Sequence, residues 1–262
     1  MPTPPQRVCP KPLEIILRDD IKEIREVEKH FAVPAQPPPA PEVEPEPPPG
    51  EVDIVLFVDT ETTGFGNSAC VVEIALVCAH YHGTRLIKSK AFSSLVNPGM
   101  DIPADATAVH HITDAMVADA PMPHELYTDI GALVEGARYF VAHSAHFDKR
   151  MLSNNFGEVF NTDGQGFVLP VMIDTLTMAK KLYHNAPDHK LETLHKYLKL
   201  PTPDGEPHRA LFDTLVAQNL FEHMLTGFRS VRDMSLRYGK ETRCGERPLP
   251  GCPQPPPTQR KR

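Results

Sequence analysis

The sequence predicts an α/β fold, a mixed sheet flanked by helices, occupying residues 51–226 of a 262-residue chain. Three observations predict it. The run Ile54-Val55-Leu56-Phe57-Val58 is continuously apolar, as in a strand buried on both faces. Two further β-type segments follow it across short turns. From about residue 123 onward helical and strand patterns alternate, which puts helices against a sheet with parallel members.

Taken in order, residues 54–58 are the first buried strand. Residues 71–81 and 85–96 follow, joined through a turn containing Gly83, and the three form an antiparallel meander. Residues 123–135 read as a helix leading to a strand at 139–142. A helix at 145–156, a candidate strand at 167–173 and a helix at 175–183 come next. Residues 191–198 and 208–225 are the last helices by their apolar spacing.

The two ends read differently, because the 29 prolines concentrate there and both ends are expected to be disordered. Residues 33–50 are mostly proline with Glu42, Glu44 and Glu46 between, a composition for an extended spacer rather than a core. Residues 1–32 form a tail before it. Within that tail Leu17, Ile21, Ile24, Val27 and Phe31 recur at spacings of four, three, three and four, which predicts a short amphipathic helix over 13–31. Such a helix either docks back on its own domain or binds a protein partner. Residues 227–262 read as a basic, Pro-rich tail. From Thr226 on there are nine Lys/Arg against three Asp/Glu, within a chain of net charge −7. A basic arm on an acidic body fits phosphate binding, and it equally fits a solvated, non-functional tail.

Composition excludes several classes. No apolar run approaches the roughly 18 residues of a membrane helix. The first residues lack the apolar segment of a secretory signal. The five cysteines are odd in number and scattered without a Cys-x-x-Cys, which supports neither a disulfide scaffold nor a zinc ribbon. Cys70 and Cys78 fall on one strand, too far apart to pair. A reduced, cytoplasmic compartment is the expectation.

Three segments carry chemistry. Asp59-Thr60-Glu61-Thr62-Thr63-Gly64 ends the first buried strand, and period two puts Asp59 and Glu61 on one face. Two carboxylates that close repel unless one is protonated or a cation lies between them, and oxygen-only ligands select a hard ion. A polar turn with both acids solvated is the alternative. His143-Ser144-Ala145-His146-Phe147-Asp148 follows a strand and opens a helix, so Asp148 is either a helix cap or a ligand. His208-Arg209-Ala210-Leu211-Phe212-Asp213 opens the last helix, with Asp213 on its apolar stripe, costly for a lone carboxylate. Five helical residues leave His208 and Asp213 about 140° apart, so they share a site only if the first turn is irregular.

Together these segments resemble the DEDDh exonucleases. Val72-Glu73-Ile74-Ala75, Asn97-Pro98, Val109-His110-His111-Ile112-Thr113, Asp174-Thr175 and His208-Arg209-Ala210-Leu211 also fall in that family's order. The narrower likeness is to bacterial exodeoxyribonuclease X, then to the epsilon proofreading subunits of replicative polymerases. One departure stands out: Ser144 occupies a position where relatives usually carry Asn, and it implies altered substrate positioning rather than a dead enzyme.

The resemblance implies a ribonuclease H-like fold and a metal-dependent 3′-to-5′ exonuclease that acts on DNA in repair or end trimming. It implies two Mg²⁺ ions, replaceable by Mn²⁺, held by Asp59, Glu61, Asp148 and Asp213, with His208 as the base. It implies substrate contacts from Thr62, Thr63, Gly64, His110 and Ile112. The expected partners are nucleic-acid 3′ ends, single-stranded DNA first, with no membrane. Proofreading beside a polymerase, trimming of RNA and an inactive nucleic-acid-binding adaptor are the other readings. Phe65 is expected to pack, or else to stack on a base. Asp174 is expected to cap its helix.

Overall fold

The computed structural model describes residues 13–17, 24–27, 52–160 and 171–241. Their elements run β1 (Leu13–Leu17), β2 (Ile24–Val27), β3 (Asp53–Thr62), β4 (Val71–His82) and β5 (Arg85–Leu95). Then come α1 (Ala104–His110), α2 (Asp114–Val117), a 3₁₀ turn (Pro123–Leu126), α3 (Tyr127–Val134), β6 (Tyr139–Ala142), α4 (Ala145–Asn155) and α5 (Gly157–Phe160). The chain continues through β7 (Val171–Asp174), α6 (Thr175–Leu182), α7 (Leu191–Tyr197), α8 (Ala210–Leu225), α9 (Val231–Tyr238) and β8 (Lys240–Glu241).

The strands form one mixed sheet in the order β2-β1-β5-β4-β3-β6-β7-β8. The meander is as the alternation predicts: β3 pairs antiparallel with β4, and β4 with β5. Gly83 turns the β4–β5 corner at φ +63°, a region open to glycine at little cost. β6 lies parallel to β3, and β7 parallel to β6.

Period two along β3 divides the molecule into layers. Leu56 and Val58 face α3, α4 and α5, packing with Phe140, Met151, Leu152 and Phe156. Val55 and Phe57 face the other way, into a core built with Met178 of α6, Leu194 of α7 and Leu220, Phe221 and Met224 of α8. Phe221 meets Phe57 edge-on at 5.2 Å. Each such large apolar side chain contributes about 1.5–3 kcal/mol on burial. This packing fixes α8 across β3 and β4. A small third core of Val72, Ile102, Ile112 and Val117 fastens α1 and α2 beside the sheet.

Several expectations need correction. The helix predicted over 13–31 is not formed in its described parts, which are two strands. β1 pairs antiparallel with β2 and parallel with β5. The β-branched Ile15, Ile16, Ile24 and Val27 favour extended backbone, and an open sheet edge at β5 supplies pairing that a lone helix lacks. Residues 13–17 and 24–27 thus lie on the chain's own sheet. The folded unit also continues past residue 226. Ser230 caps α9 by accepting the Asp233 N–H at 3.0 Å, Val231 and Met234 are buried, and β8 pairs with β7. Only 242–262 of the expected tail lies outside the described residues, as does the 33–50 spacer. The helix expected over 123–135 is a 3₁₀ turn followed by α3, with Pro123 opening the turn. Helices α1, α2, α5 and α9 are additions to the predicted set. Cys70 precedes β4 and Cys78 lies within it; both are free. No helix among the described residues is long and apolar enough to cross a membrane.

Candidate active site

The acids converge where β3 ends against the start of α8. Asp59 and Glu61 continue the face of Val55 and Phe57, so they point at α8 rather than α4. Asp213 comes from the first turn of α8. One carboxylate oxygen from each of Asp59, Glu61 and Asp213 lies within 4.8 Å of the other two. Burial raises the pKa of all three, and their neighbours raise the β3 pair further. Glu61 is pushed up to about 8, by burial first and then by Asp213, Glu73 and Asp148. Asp59 is raised by burial and then by Asp148, Glu61 and Asp213. Asp213 is pushed up to about 6 by burial, opposed by the imidazole and backbone N–H of His208. A group of hard oxygen donors that repel one another is a fit for a divalent cation, which removes the repulsion.

Asp148 arrives from the opposite layer, in the first turn of α4, and is 2 % exposed. It stands outside the tight trio but close enough to raise Asp59. It is not the helix cap; Ser144 holds that place and makes no side-chain capping bond. Instead Asp148 Oδ1 accepts a 3.0 Å hydrogen bond from Thr60 Oγ1. Burial pushes Asp148 up to about 7, and the Thr60 bond opposes that rise.

His208 lies outside α8, two residues before the helix begins at Ala210, and is exposed. Its φ of +61° turns the chain sharply there. The helical angle that separated His208 from Asp213 therefore does not apply. Its backbone N–H and imidazole both act on the Asp213 carboxylate.

The next two residues are anchored from β4. Glu73 is 3 % exposed and accepts from Arg209 Nε at 3.1 Å through each oxygen, from Arg209 Nη2 at 2.5 Å, and from the Ala210 N–H at 2.9 Å. Glu73 also lies directly opposite Glu61 in the β3–β4 pairing.

The expected substrate residues divide. Thr62 and Thr63 are buried, and the Thr63 N–H is engaged by the Cys70 carbonyl at 2.9 Å. Gly64 has φ +153°, and a Cβ there would meet nothing within 4 Å, so its demand on glycine is conformational and its outer side is open. The Ile112 side chain is fully buried in the third core, so its own atoms face packing. Its N–H donates to His110 Nδ1 at 3.0 Å, which places the imidazole proton on Nε2. That Nε2 is buried and faces the Thr62 backbone carbonyl, short of good hydrogen-bond geometry. Phe65 does not pack inside: it is 83 % exposed. Its ring lies 5.8 Å from Phe147, and its carbonyl accepts from Arg150 Nη2 at 2.8 Å. Asp174 caps α6 through the Leu176 and Thr177 N–H groups, as its position predicts.

Sequence reasoning gave no role to Thr60, Glu73 or Arg209. The signal for Glu73 was present, a single acid inside the otherwise apolar run from Val71 to Ala79. Thr60 gave none beyond facing away from its neighbours.

Residues 56–221 match the family described as Exonuclease (RNase_T). A DNA polymerase III subunit epsilon-like protein of Rhodobacter capsulatus is 34 % identical over 181 residues, covering 68 % of this chain and 25 % of that protein. Exodeoxyribonuclease 10 of Escherichia coli is 33 % identical over 171 residues, covering 62 % of this chain and 64 % of its own. This chain thus spans a quarter of the first relative's length and just under two thirds of the second's. Among solved structures, Exonuclease X in complex with 5′ overhanging duplex DNA is 28 % identical with a TM-score of 0.50, covering 66 % of this chain and 92 % of that one. With more than half its length matched and the acids of β3 and α8 gathered at the end of an interior strand, the chain belongs to the exonuclease (RNase_T) family.

Proposed function

We propose that this protein is a metal-dependent 3′-to-5′ exonuclease that hydrolyses DNA from its 3′ ends to nucleoside 5′-monophosphates. The observation that carries the reading is the trio Asp59, Glu61 and Asp213, whose oxygens meet within 4.8 Å. The names of two similar proteins, exodeoxyribonuclease 10 and an exonuclease X bound to duplex DNA, support DNA as substrate. Asp59, Glu61 and Asp213 would hold one divalent ion, and Asp59 with Asp148 a second; Mg²⁺ suits the donors and Mn²⁺ would substitute. Such ions, when bound, lower the pKa of water and stabilise charge on the phosphoryl and leaving oxygens.

The chain's own groups do the rest. His208 accepts the proton of the attacking water as its oxygen bonds to phosphorus. The bond from phosphorus to the 3′ oxygen breaks, and that oxygen takes a proton from bulk water to become the new 3′ hydroxyl, while His208 returns its proton to solvent. Thr60 holds Asp148 in place. The open backbone at Gly64 and the exposed ring of Phe65 receive the terminal nucleotide. Thr62, Thr63 and Ile112 support these groups from behind. Repair or end trimming in a reducing cytoplasm fits a chain whose described cysteines are free.

Polymerase III epsilon names among the relatives favour a second reading, proofreading beside a DNA polymerase. A panel of 3′-labelled single-stranded DNA, duplex DNA and RNA with Mg²⁺ or Mn²⁺ tests these readings. Stepwise release of deoxymononucleotides, abolished by Asp59→Ala or Asp213→Ala in folded protein, is expected. Faster loss of RNA would move the substrate to RNA, and binding without cleavage would make the chain an adaptor. Co-purification of a polymerase would favour proofreading.

A further inference from the structure

Glu73 is the one carboxylate in the acid cluster with no place in the chemistry above. It sits beside Glu61 on the same face, where a second acid is electrostatically unfavourable. Both its oxygens are consumed, by the Arg209 guanidinium and by the Ala210 N–H. Arg209 and Ala210 immediately follow His208. The Ala210 N–H is a first-turn donor with no partner inside its own helix, so Glu73 also closes the start of α8. Before this corner lies the irregular stretch 198–209, and His208 itself is exposed at φ +61°. The corner is thus held at two points: the His208 N–H on the Asp213 carboxylate, and the Glu73 grip on the two residues after the histidine.

We propose that Glu73, through Arg209 and the Ala210 N–H, is a positioning residue that sets the imidazole of His208 over the acid trio. Asp213, by contrast, is placed by the helix itself. Leu215, Leu220 and Phe221 hold α8 in the core independently of the corner. Loss of the grip therefore disturbs the base more than the metal ligands. Arg209 has a further effect: its charge lowers the pKa of Glu61, against the direction in which Glu73 acts.

The inference rests on His208 being the base, so the test is a double-mutant cycle in the full chain. Glu73→Gln keeps the shape but replaces one acceptor oxygen by an NH₂ group. In the wild-type background it is expected to lower kcat about 10- to 100-fold, with KM and Mn²⁺ affinity, read by electron paramagnetic resonance, changed less than about threefold. In a His208→Ala background the same substitution is expected to cost less than about threefold, because the group it positions is gone. Equal losses in both backgrounds, or a fall in Mn²⁺ affinity that accounts for the loss in rate, would overturn the proposal. No effect of His208→Ala alone would instead reject the assignment of the base. Arg209→Lys, which keeps the charge but loses the fork, repeats the cycle at the more exposed partner should Glu73→Gln fold poorly.

Discussion

Thr60 Oγ1 donates a 3.0 Å hydrogen bond to Asp148 Oδ1, joining two residues 88 positions apart. The Asp59-Thr60-Glu61 tripeptide therefore works on both faces of the sheet. Its acids face α8, and its threonine reaches the α4 layer to hold the fourth acid. Without that bond Asp148 keeps its burial and loses its stabilising donor, so its pKa rises beyond about 7. Thr60→Val keeps the side-chain shape. It is expected to weaken Mn²⁺ binding and to lower kcat roughly 10- to 100-fold, read by metal titration and steady-state kinetics. Metal affinity equal to wild type would show that Asp148 needs no such support.

The stability of the metal-free protein is expected to fall as pH rises from about 4 to 8. Glu61, Asp148 and Asp213 are raised to about 8, 7 and 6, against about 4 for carboxyls in an unfolded chain. Over that window the native state binds more protons than the unfolded state, so the slope of stability with pH is negative. The stabilisation is complete below the unfolded pKa and lost as pH passes the folded values. His110 and His143, whose pKa values burial lowers, act in the opposite sense. A comparison at each pH with and without Mg²⁺ isolates the acids. The rise in Tm on adding Mg²⁺ is expected to grow with pH. It should reach about 5–10 °C at pH 8 when the ion is near a hundred times its Kd. A rise that shrinks with pH would mean the cluster does not bind the ion.

Phe65 is exposed, yet the Arg150 bond to its carbonyl and the contact with Phe147 hold it against α4. Phe65→Ala is expected to leave stability within about 0.5 kcal/mol. If the ring stacks on a base, KM for single-stranded DNA should rise roughly 5- to 150-fold, the equivalent of about 1–3 kcal/mol. Unchanged KM with a Tm several degrees lower would assign the ring to packing instead.

Much of this arrangement is written in local sequence. The buried run 54–58 and its period two determine where Asp59 and Glu61 point, and the structure places them so. The alternation of helix and strand from Tyr139 to Leu225 is equally legible, because each element has its own apolar spacing. What could not be read depends on partners distant in the chain. The bond of Thr60 to Asp148 and the grip of Glu73 on Arg209 exist only once α4 and α8 dock. The strands at 13–17 and 24–27 carry an apolar spacing that suits a helix, and pairing with the edge of β5 decides against it. The α9 helix was hidden by a basic composition, although Ser230 and Asp233 form a readable start signal.

Ser144 offers a test of backbone strain free of catalysis. It has φ +83° and ψ +48°, the left-handed region, which costs an ordinary L-residue about 1–2 kcal/mol. It is held there because its N–H donates to Asp174 Oδ1 at 3.2 Å, while the same oxygen caps α6. Its neighbour His143 is fixed as well, by Thr175 Oγ1 at 3.0 Å and the His189 carbonyl at 2.8 Å. The left-handed turn thus follows from where β6, β7 and α6 meet, and serine bears its cost. Asparagine, the usual residue of the resembling family at this place, tolerates that region. Ser144→Asn is therefore expected to stabilise the protein by about 0.5–1 kcal/mol, a rise in Tm of roughly 1–4 °C for a unit of this size. Thermal unfolding with chelator present, which removes any contribution from bound metal, is the measurement. A lower Tm for Ser144→Asn would show that the serine hydroxyl contributes more to the folded state than the backbone conformation costs it.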